Sequence, residues 1–197
     1  MCFKGEMKPV KRIIAFLVLL LMPGHAFANG LTVTQEGDVG IGTSEPAATL
    51  HVNGPAIIGS GGRGTRSLNI AEYFSSLNDT NAYIHLKTPF NPAIEADTFH
   101  IKVSGYSLHN FSNHLIDLTF TGYSYTACNC VAYTTTLDPT NQYSPAIYKG
   151  SDNFIYLRFK PANTYYLTFV VDSIFVGNGR ILKPGDIQVV PSSSVTL

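Results

Sequence analysis

From residue 82 onward apolar side chains fall on alternate positions, and a period of two leaves a chain few folds to choose from. In "TFHIKVSGY" Phe99, Ile101 and Val103 alternate with His100, Lys102 and Ser104, and in "LIDLTFTGYSY" Ile116, Leu118 and Phe120 alternate with Asp117, Thr119 and Thr121. Successive residues of a strand point to opposite faces, so each segment reads as a half-buried strand. "NFIYLRFK" and "YYLTFVVDSIF" continue the pattern. The turn signals "KGSDN" and "VGNG" bound them, the latter carrying an Asn178-Gly179 pair suited to a two-residue hairpin. Strands punctuated this way predict an all-β head over residues 68–197, a jelly-roll or other β-sandwich. All eleven tyrosines and nine of the twelve phenylalanines fall in this head and supply its core without any tryptophan.

The other end of the chain has a different task. Lys4, Lys8, Lys11 and Arg12 precede "IIAFLVLLLM", and a small-residue ending follows at Ala26 to Ala28. That is the layout of a secretory signal peptide over residues 1–28, with an apolar run short for a membrane span. Cleavage predicts a secreted or surface protein with no membrane span. Losing Lys4, Lys8, Lys11, Arg12 and Glu6 from thirteen basic and thirteen acidic residues leaves nine and twelve, a net charge of −3. A weakly acidic chain excludes the clustered basic surface that nucleic acid requires.

Residues 29–58 read as three very short strands, "LTV", "DVGIG" and "TLHV", separated by "QEG" and "TSEP". Their apolar residues are Leu31, Val33, Val39, Ile41, Leu50 and Val52. Six such side chains are too few to offset the ordering of roughly two dozen residues, so this piece must borrow order from a folded neighbour and from other copies of the chain. Gly40 and Gly42 alternate with Val39 and Ile41, and a strand glycine often marks close approach of another backbone. A loose leader with incidental glycines is the plainer alternative. "GSGGRGTRS", residues 59–67, reads as a glycine-rich linker; it lacks the Lys of a phosphate-binding loop. "SLNIAEYFSSLN" fits either a helix or an irregular edge strand.

Once Cys2 leaves with the signal, Cys128 and Cys130 remain, in "ACNCV". They form a local disulfide if Asn129 makes a tight turn; otherwise they are free or pair between subunits, and no second ligand pair accompanies them to suggest a metal. No cofactor signature is present.

The run "EGDVGIGTSEPAATLHVNG", through Gly37, Val39, Gly40, Ile41, Gly42, Thr43, Pro46, Leu50, Val52 and Gly54, resembles a recurring element of phage tail fibres and related bacterial surface fibres. Later phrases, among them "FHIKVSGYS" and "VDSIFVGNGRILKPGDI", are similar to the distal β domains that follow such shafts. With a secretion signal, the likeness is closest to cellular fibres such as the mosaic adhesive trimers of predatory bacteria. The resemblance implies a homotrimeric, intertwined β shaft with Val39, Gly40, Ile41, Gly42, Leu50 and Val52 at the subunit contact. Many such fibres end in a self-cleaving chaperone; none is recognised before Leu197, so the head is expected to take over trimerisation.

Chemistry is sparse. No nucleophile elbow or His-Glu-x-x-His motif occurs. Glu95 and Asp97 alternate in a Pro-flanked loop, where they either pair as glycan-cleaving carboxylates or, as expected here, keep an exposed edge soluble. His109 and His114 read as surface residues. The segment 126–149 is rich in Thr, Asn and Tyr, the composition of a saccharide site in which rings stack on sugar faces beside polar groups. Tyr133, Asp138, Asn141 and Tyr143 are the candidates. Tyr123, Tyr125 and Tyr133 equally fit core or subunit-contact rings, which would leave Asn141 and Tyr143 as the better exposed pair. The expectation is a secreted homotrimeric fibre-tip adhesin for a cell-surface glycan or envelope component, not an enzyme; a purely structural trimerisation module is the alternative.

Overall fold

The structure, a computed structural model, describes residues 30–60, 63–76, 82–109, 112–161 and 165–197. The predicted signal peptide and part of the ambiguous 67–78 segment lie outside these residues. The described chain is all β, with no helix, and divides into two units at Asn53 and Gly54.

In the first unit β1 (Leu31–Val33) pairs antiparallel with β2 (Val39–Ile41), and β2 runs parallel to β3 (Leu50–Val52). Register then stacks two cross-strand rows on one face, Leu31–Ile41–Val52 and Val33–Val39–Leu50, with Thr32, Gly40 and His51 on the other. All six apolar residues of the leader therefore share one side, where among the described residues Leu31, Val33, Ile41 and Leu50 are exposed and Val39 and Val52 half-buried. Leu31, Val33 and Leu50 keep 60–63% of their surface exposed. The glycines also meet a need within the chain. A Cβ on Gly40 would lie 2.5 Å from the Thr43 carbonyl oxygen, and one on Gly42 would lie 2.9 Å from that of Asn53. A crossover of only eight residues joins the parallel strands and folds back over Gly40, so both bare positions are required by the chain's own backbone.

The second unit begins earlier than the composition suggests. β4 (Ala56–Ile58) pairs with β5 (Arg66–Leu68), placing Ile57 opposite Ser67. The end of the 59–67 stretch is thus a strand of the head rather than a linker, because Ala56–Ile58 finds its ladder partner in Arg66–Leu68. β6 (Glu72–Ser75) resolves the helix-or-strand ambiguity as a strand.

Beyond it come β7 (Tyr83–Lys87), β8 (Thr98–His109), β9 (Ser112–Tyr125), β10 (Cys130–Leu137), β11 (Ala146–Lys149), β12 (Ile155–Phe159), β13 (Tyr165–Val176) and β14 (Gln188–Ser192). They form a seven-stranded sheet ordered β10-β9-β8-β13-β5-β4, with β6 also on β13, and a four-stranded sheet ordered β11-β12-β7-β14. The late strands β13 and β14 return to lie beside β8 and β7, and the two sheets make a β-sandwich.

Between the sheets Phe99, Ile101, Val103, Ile116, Leu118 and Phe120 from the large sheet meet Ile84, Leu86, Ile155, Leu157 and Phe159 from the small one, each at most 1% exposed. Phe90 stacks on Phe99 with centroids 5.0 Å apart. Asn178-Gly179 does not close a hairpin; after Val176 the chain turns away and next pairs in the other sheet, as β14 on β7.

Candidate functional site

β9 and β10 carry an outward aromatic surface. Phe120, Gly122 and Ser124 of β9 face the core, which sends Thr121, Tyr123 and Tyr125 outward. β10 pairs Cys130 with Tyr125 and Ala132 with Tyr123, and then the register slips before Thr135 meets Thr121. That bulge holds Tyr133 in the left-handed region, at φ 51°, with 83% of its surface exposed. A bulge re-aims a side chain, and a bulky residue at positive φ carries strain that here no burial repays.

Tyr133 stands 6.5 Å from Tyr123, with Tyr123 5.5 Å from Tyr125, each pair inclined at 33°. With Thr98, Thr121 and Gly122, the Tyr123 and Tyr133 rings line a depression of about 380 Å³, within the range of ligand pockets. Beside it the chain tip is fastened: Cys128 and Cys130 are disulfide-bonded, their Cα atoms 5.2 Å apart, because Asn129 takes a left-handed turn at φ 48°.

The other sequence candidates build a different feature. Asp138 organises the loop that follows, accepting hydrogen bonds from the Thr140 hydroxyl (2.7 Å), the Thr140 N–H (3.1 Å) and the Tyr143 N–H (2.7 Å). Partial burial pushes its carboxyl up, but these bonds outweigh burial and hold it below the usual value. Asn141 is exposed at φ 57° in the same loop. Tyr143 is 2% exposed, edge-on to Phe159 with its hydroxyl 3.2 Å from Ser107 Oγ, so it is a core residue and no ligand can stack on it. Of the four candidates only Tyr133 lines the depression. Sequence reasoning passed over Thr98 and Thr121 and offered Tyr123 only as a core or subunit-contact ring; the signal was the outward i, i+2 parity of Tyr123 with Tyr125. His114 lies against Gln142 at 2.8 Å; the His109 side chain lies outside the described residues.

Glu95 and Asp97 are not a solvated edge. Arg180 reaches Glu95 at 2.7 Å and Asp97 at 3.4 Å, and Asn178 donates to Asp97 and to the Ala96 carbonyl oxygen. Asp97 is 4% exposed. The pair is a half-buried tie between the 91–97 loop and the turn after β13, with Arg180 over the Phe90 ring.

A second polar network lies on the outer face of the small sheet. His85 is fully buried there, its Nε2 3.0 Å from the Ser194 carbonyl oxygen and its Nδ1 2.7 Å from the Tyr148 hydroxyl. A carbonyl only accepts, so Nε2 carries the proton and Tyr148 donates to Nδ1. Tyr148 in turn accepts from the Leu197 N–H, and Arg158 donates to the Val195 carbonyl oxygen. The last residues are thereby strapped across the sheet. Burial lowers the His85 pKa, the Ser194 bond opposing and Arg158 assisting; burial also raises Tyr148 to about 12. Among the described residues no three His, Cys, Asp or Glu side chains gather as metal ligands, and no helix is long and apolar enough to cross a membrane.

Neither a scan against protein-family models nor a search of curated proteins found a match to this chain.

Proposed function

We propose that the protein is a secreted homotrimeric fibre-tip adhesin whose head binds a cell-surface glycan. The observation that carries this reading is Tyr133, strained and exposed beside Tyr123 over a depression large enough for a sugar ring. Strain without packing is retained where a side chain serves something outside the fold. Assembly is supported by the uncovered face of the first unit, since six apolar residues in two rows gain burial only from another surface, and identical rows on identical chains are complementary by symmetry. Three heads on one stalk would multiply a weak single-site affinity.

The test is binding of the purified secreted protein to a glycan array, with Tyr133→Ala as control. Binding lost in the variant supports the adhesin. A wild-type protein that assembles but binds no glycan would instead be a structural module of a fibre. Glu95→Gln and Asp97→Asn, with turnover measured on any bound polysaccharide, test for hydrolysis; their commitment to Arg180 predicts none.

A further inference from the structure

Resting on the adhesin reading, we infer that the glycan taken by the Tyr123–Tyr133 depression is an uncharged saccharide, with its apolar face on the rings and its hydroxyls toward Thr98 and Thr121. The chemistry of the lining sets this. Thr98, Thr121, Gly122, Tyr123 and Tyr133 include no Asp, Glu, Lys, Arg or His. An aromatic face is the negative pole of the ring quadrupole, so it attracts the positively polarised C–H groups of a pyranose and repels carboxylate or sulfate. An anionic sugar drawn onto these rings would also lose hydration with no cation to replace it.

Three cations elsewhere on the same sheet and its adjoining loops are committed. Lys102 is paired with Asp117 at 3.3 Å, Arg180 holds Glu95 and Asp97, and Arg66 lies over the Phe175 ring. The two rings, inclined at 33° and 6.5 Å apart, form a trough rather than a parallel slot. A puckered sugar seats in such a trough, whereas a flat aromatic ligand favours parallel stacking.

The experiment uses the purified secreted protein on an array of neutral oligosaccharides beside sialylated, uronate and sulfated ones, at low and high salt, with Tyr133→Ala and Tyr133→Phe. The expected result is binding to neutral sugars that salt leaves nearly unchanged. It should fall about tenfold or more in Tyr133→Ala and stay within about twofold in Tyr133→Phe, because the ring face rather than the hydroxyl carries the contact. Binding confined to anionic sugars and abolished by salt overturns the uncharged ligand while leaving the adhesin reading standing. Absence of binding to any sugar removes both. Unchanged binding in Tyr133→Ala moves the ligand elsewhere, and a change in oligomeric state in that variant makes the ring a contact between copies.

Discussion

Replacing Tyr133 with glycine should make the protein more stable while destroying its ligand site. The backbone there sits at φ 51°, where a residue with a Cβ pays roughly 1–2 kcal/mol and glycine pays nothing. Glycine gives back about 0.5–1 kcal/mol through the greater freedom of the unfolded chain. With 83% of the ring already in water, truncation opens no cavity, and the contact with Tyr123 is worth a few tenths at most. The balance is a stabilisation of about 0.2–0.7 kcal/mol, or roughly 1–3 °C in Tm at the upper end. Tyr133→Ala keeps the strain and should stay within about 0.5 kcal/mol of the parent. Urea denaturation at one fixed protein concentration reads the difference, fixed because assembly couples to unfolding. If Tyr133→Gly proves no more stable than Tyr133→Ala, the strain is not there and the case for a purposeful outward tyrosine fails with it.

Other parts of the head respond for separate reasons. Gly105→Ala places a Cβ 2.1 Å from the Thr168 carbonyl oxygen and 2.6 Å from Phe169 Cα, both fixed in the central ladder; it should cost about 3 kcal/mol or prevent folding, read as soluble yield and urea midpoint. Arg180→Met leaves Glu95 and Asp97 without their cation. The loss should be about 2 kcal/mol, less than for a fully buried pair because Arg180 and Glu95 retain 35% and 28% exposure, and converting both acids to Gln and Asn in the same chain should recover part of it. His85 has its pKa lowered below 6.5, so the stability it confers is complete above that value and drains away as pH falls below it. Urea midpoints taken from pH 7.5 down to 5 should decline in the parent and decline less in His85→Gln; equal slopes would remove the buried neutral imidazole from the account.

The core was legible because its pattern is binary. Phe99, Ile101, Val103, Ile116, Leu118 and Phe120 alternate without interruption, and a one-residue slip would have turned all of them to solvent. Tyr133 was named as a candidate, but its exposure was not readable, since the bulge that turns it outward comes from the pairing of β10 with β9 and leaves no mark on the local text. Tyr143 misled for the complementary reason: its polar loop suggested exposure, while its ring fills a space beside Phe159 that only the folded sheets define. The glycine-rich 59–67 stretch was misread because a turn and a linker share a composition, and only the ladder between Ala56–Ile58 and Arg66–Leu68 separates them. Glu95 and Asp97 read as a soluble edge because their cation, Arg180, lies more than eighty residues further along.

The uncovered rows Leu31–Ile41–Val52 and Val33–Val39–Leu50 make assembly the claim on which the rest depends. Light scattering of the processed protein at micromolar concentration, beside an Ile41→Asp/Leu50→Asp variant, addresses it directly. The account predicts three times the chain mass for the parent and a shift toward single chains in the variant, with the head's unfolding transition retained. A parent protein that stays a single chain at that concentration would contradict it.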